Sequence, residues 1–209
     1  MDCFALLGLR RAPWVDPEQL QSAFLTLSNQ HHPDRFQNAA EKAGAEKRFT
    51  DINAANQTLR SNSLRLAHLL ELETGSKTAH VQEIPPEAMS FFDDVAKITR
   101  GLDKFLAEEK PEGSSMLNVY HFERALEWTE IVQELQTRLS VQIATLESEL
   151  KTMNRAWETA PPSTGHSSSQ ARVNSLPIPR LRVIASAMAF LEKWNSQLQE
   201  KIARLALVT

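Results

Sequence analysis

The chain has a single cysteine, Cys3, among 209 residues, which excludes an internal disulfide and a thiolate metal cluster. A reducing, cytosolic setting fits this best. It has only six glycines, and no hairpin dipeptide stands between alternating runs, so strand signals are almost absent. No apolar run approaches the length of a membrane span; the most apolar stretch, LRVIASAMAFLEKW, is short and carries charges. The start, MDCFALLGLR, has no basic region ahead of its apolar residues and does not read as a signal peptide. There is no excess of cations either: 23 Lys and Arg stand against 26 Asp and Glu. A general nucleic-acid binder needs clustered cations to neutralise phosphates, so that class is disfavoured. What remains is a chain that is 42% apolar, enough for a packed core, and that reads as all-α.

Helical periodicity organises it. Leu20, Ala23, Phe24, Leu27 and His31 fall on one face, with Asp16 as a natural N-cap and Pro17 in the first helical position. Pro33 forbids continuation and pushes His32 into extended geometry, so this helix ends near His31. Ala45, Phe49, Ile52, Ala55 and Leu59 form a second stripe, and the two helices make an antiparallel hairpin with His32, Pro33 and Asp34 at its tip. A shorter element ends at Gly75, a plausible C′ glycine.

Residues 76–85 read as a linker ending in IPP. A helix with Ala88, Phe91, Val95, Ile98, Leu102 and Phe105 on one face follows. A very long stripe runs from Phe122 and Leu126 through Leu135, Leu139, Leu146 and Leu150 to Trp157. Residues 160–179, rich in Pro and Ser, read as a mobile loop, and a last helix carries Leu181, Ile184, Met188, Leu191, Leu198, Ile202 and Leu205. Helices with such stripes bury them by packing on one another, so the expected architecture is a domain over 1–75 followed by a three-helix bundle over 86–209 with a long central helix.

The functional signal is the tip. NQHHPDRF places His-Pro-Asp between two amphipathic helices, followed by a basic and an aromatic residue. Together with MDCFALLGL before it and INAANQTLR after it, this arrangement resembles the J domain, the module through which co-chaperones engage DnaK-type chaperones. The short ALLGL start and the A-x-x-L before Gly75 resemble more narrowly the HscB-type co-chaperones of iron–sulfur cluster assembly. Those pair a J domain with a C-terminal three-helix bundle that holds a scaffold protein of the IscU type.

The resemblance implies a protein that is not an enzyme, binds no cofactor or metal, and accelerates ATP hydrolysis by a chaperone partner. Pro33 fixes the backbone, so His32 and Asp34 lose little entropy on docking, and an exposed carboxylate can pair bidentately with an arginine. His32, Pro33, Asp34, Arg35, Lys47 and Arg48 are the expected chaperone-binding residues. J domains usually carry cations on the helix before the loop, but residues 17–31 contain no Lys or Arg, so steering by charge is expected to be weaker.

For the client, Met89 and Phe92 lie on a flanking edge of the first bundle helix, and Val183, Ala187, Phe190 and Trp194 make a second edge on the last. An ungapped match to the HscB type puts Met89, Asp94 and Phe190 at its scaffold-contacting positions. Ser90 and Asp93 stand where that family has apolar contacts, and Lys97 where it has an acid. The expected client-binding set is Met89, Phe92, Asp94 and Phe190. The alternatives are a J-domain protein with another client, or a helical interaction protein with a degenerate loop.

Overall fold

The computed structural model describes residues 1–76, 83–108, 115–162 and 170–208. Among these there are eight α-helices, one 3₁₀ turn and no strand. The linker expected at 76–85 lies largely outside the described residues.

Local chemistry sets the first helices. In α1 (Cys3–Leu6) the Asp2 carboxylate accepts from the Phe4 and Ala5 N–H groups. Asp16 does the same for Glu18 and Gln19 at the start of α2 (Pro17–Gln30), where Pro17 supplies the pre-set φ of a first helical position. A 3₁₀ turn, Pro33–Arg35, leads to α3 (Ala39–Arg60), capped by Asn38. Ser61 ends α3 and caps α4 (Asn62–Thr74), making a sharp corner, and Gly75 at φ 68 closes α4 in the left-handed conformation expected of it. Phe4, Leu20, Ile52, Ala55, Leu59, Leu66 and Leu69 are buried. Each larger one contributes about 1.5–3 kcal/mol by leaving water.

Two polar residues support this apolar core. Buried Arg65 donates to the Pro13 and Leu59 carbonyls, at 3.0 and 2.7 Å, and to Asn62. His68 Nε2 accepts from the Cys3 N–H at 3.0 Å, and burial holds its pKa below the ordinary value. The folded state therefore binds fewer protons at His68 than the unfolded chain. Its contribution is complete above about pH 6.5 and declines as pH falls below that value. His68→Gln keeps an acceptor and cannot titrate. Urea midpoints measured across this range should fall more steeply with acid in the wild type than in the variant. Burial also pushes the Cys3 thiol up, as suits a small core residue.

The remaining helices are α5 (Pro86–Leu106), α6 (Ser115–Thr159), α7 (Gln170–Ser175) and α8 (Ile178–Val208). The chain forms two compact units: Met1–His80 with Glu147–Ala185, and Val81–Leu146 with Ser186–Thr209. In the first, Asn154 of α6 both accepts from the Trp14 N–H (3.0 Å) and donates to the Trp14 carbonyl (2.8 Å). Asn62 bonds Glu147 at 2.8 Å, and Arg180 forms a bidentate pair with Glu149 at 2.7 and 2.8 Å. At its centre, buried Arg172 of α7 clamps the fully buried Glu73 of α4 at 2.7 and 2.9 Å, while Trp157 donates to Glu73 at 3.3 Å. The loop expected at 160–179 is thus corrected. Residues 163–169 lie outside the described residues, but 170–175 are helical and anchored by Arg172, and α8 starts at Ile178. The anchoring acid stands far away in sequence, so local composition reads only as a loop.

In the second unit α5 and α6 run antiparallel, as Asp94 pairs with Arg138 (2.8 Å) and Glu108 with Arg124 (2.6 Å). Gln136 meets Asn195 at 3.4 Å, and Asp103 pairs with Lys201, which brings α8 against both. A Cβ on Gly101 would lie 2.5 Å from the Trp128 ring, so this glycine lets the indole rest on the α5 backbone. The α6 stripe needs one correction. Phe122 and Leu126 are exposed, and His121, Ala125, Val132, Leu135 and Leu139 face inward. A straight helix drifts by about 20° per heptad against a 3.5-residue seam, so a stripe extended over many turns leaves the core. His121 instead stacks on Phe105, ring centres 4.8 Å apart.

Candidate functional site

The tip of the α2–α3 hairpin follows from its proline. α2 stops with His31 as its last capping residue, and His32 is extended at φ −64, ψ 127. Pro33 then opens the 3₁₀ turn. The His32 ring closes it from outside: Nδ1 accepts from the Asp34 N–H at 3.3 Å and lies 3.6 Å from Asp34 Oδ2. Because Nδ1 accepts, a neutral ring carries its proton on Nε2. The imidazole and the Phe49 ring of α3 meet in a T-shaped contact, centroids 5.4 Å apart. Arg35 donates from Nη1 to the Asn29 carbonyl at 3.1 Å, so its guanidinium ties the turn back to the last turn of α2. The side chains of His32 and Asp34 remain 48% and 81% exposed. The turn therefore has a fixed backbone while the imidazole edge and carboxylate stay open to a partner.

The structure brings His32, Pro33, Asp34 and Arg35 together on the tip. Lys47 and Arg48 are exposed on α3, in the two positions before Phe49. Phe49 adds to its place in the α3 stripe a contact that periodicity alone does not show. It is half-buried and the His32 ring rests against it.

A second arrangement lies on α5 and α8. The Asp103–Lys201 pair sets the register of these helices, and eleven residues earlier on each stand Phe92 and Phe190. Met89 and Phe92 are exposed, at 53% and 44%, and belong to the Asp103 side of α5. Phe190 is partly buried and its ring tilts onto Trp194 at 5.5 Å. Ala187 and Trp194, expected on the same edge, are buried and widen the core. Asp94 faces the other way, toward α6, in its ion pair with Arg138. The structure therefore groups Met89 and Phe92 with the face of Phe190 and separates Asp94 from them.

Comparison with known proteins bears on the domain and the fold. The DnaJ domain family model matches residues 2–68. Among solved structures, the human co-chaperone protein HscB superposes with a TM-score of 0.55 at 20% identity, over 96% of this chain and 82% of that one. Chaperone HscB from Vibrio cholerae gives 0.48 at 20% identity, over 95% of this chain and 99% of that one. The chain thus carries a J domain over residues 2–68, set in the fold of the human HscB co-chaperone.

Proposed function

We propose that the chain is an HscB-type co-chaperone. Its hairpin tip stimulates ATP hydrolysis by a DnaK-type chaperone, and its α5–α8 face presents an iron–sulfur scaffold protein of the IscU type to that chaperone. The observation that carries the reading is the exposed His32-Asp34 pair on a turn stiffened by Pro33. A carboxylate held this way offers an arginine two acceptor oxygens at low entropic cost, and the imidazole edge supplies a second contact beside it. Arg35, Lys47 and Arg48 complete the chaperone-facing set. None of these groups performs chemistry on a substrate. They bias the partner between two conformational states, which requires only that they bind one state better than the other. Holding client and chaperone on one chain raises their effective concentration, so no cofactor enters the mechanism.

The test is ATP turnover by a DnaK-type chaperone with and without the chain, in the presence and absence of the scaffold. Stimulation by the chain, enhanced when scaffold is added, supports both halves. For the client face, Met89 and Phe92 are exposed and have the size of interface anchors, with the partly buried Phe190 beside them. Replacing Phe92 or Phe190 with alanine should weaken scaffold binding roughly tenfold in a calorimetric titration. A second reading, a J-domain protein with a different client, is favoured by Ser90, Asp93 and Lys97, which make this part of α5 more polar than the family pattern. Stimulation of the chaperone without any binding of the scaffold by the wild-type chain would select it.

A further inference from the structure

The solvent side of the first half of α6 carries two parallel stripes that neither proposed partner uses. Val119, Phe122 and Leu126, at spacings of three and four, each leave about half of their surface in water. Glu123, Glu127 and Glu130, again at spacings of four and three, run beside them and are exposed. Arg124, one position after Glu123, makes its ion pair with Glu108 and lies over the Phe105 ring at 4.9 Å, against α5. Large side chains at inward spacing would be core. Here the inward positions are taken by His121, Ala125 and Val132, so the outer stripe is additional apolar surface.

We propose that this face docks a basic amphipathic helix of a partner protein, with aliphatic residues on one stripe and Lys or Arg on the adjoining one. The paired helical spacings fit a helix laid along α6, with apolar anchors against Phe122 and Leu126 and cations against the three glutamates. Charge selects this occupant over the others. An anionic membrane surface or a nucleic acid meets three carboxylates, and a second copy of the chain brings glutamate against glutamate across a two-fold axis. The α5–α8 face is not involved, so the inference stands independently of the client proposal.

The experiment uses the full chain and a short fluorescent peptide with a leucine stripe and a lysine stripe, compared with its leucine–glutamate counterpart. Anisotropy should report binding of the leucine–lysine peptide that weakens with salt and is absent for the other peptide. Glu123→Lys with Glu127→Lys should lose roughly tenfold in affinity for the first peptide and gain affinity for the second. Phe122→Ser should lose binding of the first peptide by a similar factor while far-UV circular dichroism stays unchanged. Failure of the wild type to bind, or equal binding by both variants, overturns the proposal. So does a wild-type dimer in sedimentation that Phe122→Ser dissolves, since a second copy would then occupy the face.

Discussion

Arg172→Leu destabilises the chain by about 3–5 kcal/mol, the largest effect expected from any single substitution outside the apolar core. The guanidinium makes two bonds to Glu73 and a third, at 2.6 Å, to the Pro161 carbonyl. Glu73 has no surface in water, so removing Arg172 takes from a buried carboxylate the guanidinium that holds both of its oxygens. The same reasoning predicts the double substitution. Glu73→Leu with Arg172→Leu removes both charges, replaces them with apolar volume, and should recover most of the loss. Urea denaturation of the three chains measures this. A double variant as unstable as the single one would show that the pair acts through shape and not charge. The loss should appear as a shifted midpoint with an unchanged slope, because the same surface is exposed on unfolding.

On the proposed function, His32→Gln and Asp34→Asn should remove chaperone stimulation while leaving the fold intact. His32 Nδ1 caps one exposed 3₁₀ turn, and losing such a cap costs about 1 kcal/mol or less. Asp34 is almost fully solvated, so its amide isostere costs the fold little. Truncating one partner of a docked, charge-assisted pair costs the complex about 2–5 kcal/mol, which corresponds to a thirtyfold loss or more. Turnover assays should therefore fall to the chaperone's basal rate, with melting curves close to wild type. Stimulation that survives either substitution removes the tip from the mechanism and leaves the protein as a helical binding module. A parallel assay with Phe49→Ala separates display from contact. It withdraws the ring against which His32 rests and should reduce stimulation partially.

Features fixed by neighbours in sequence were legible before the structure. The end of α2 at His31, the extended His32 and the left-handed Gly75 follow from Pro33 and from glycine chemistry within a few residues. Features fixed at a distance were not. The short helix α7 is held by an acid 99 residues away, so its Pro- and Ser-rich surroundings read only as a loop. The inward face of α6 at His121 and Ala125 depends on how α5 packs, which periodicity over a long helix does not encode. Asp94 shows the same limit within the candidate client site. The family resemblance grouped it with Met89 and Phe190, while in the fold it pairs with Arg138 of α6.

The first compact unit is discontinuous: its N-terminal part joins Glu147–Ala185 across an intervening stretch that belongs elsewhere. During synthesis, Glu73 leaves the ribosome long before Arg172 does. At about 5–20 residues per second, the 99-residue separation amounts to a wait of roughly 5–20 s. Over that interval the nascent helices α1–α4 can form their own apolar contacts, but Glu73 waits for the guanidinium that clamps it in the finished fold. The amino-terminal module therefore reaches its finished state only when the other end of the polypeptide arrives.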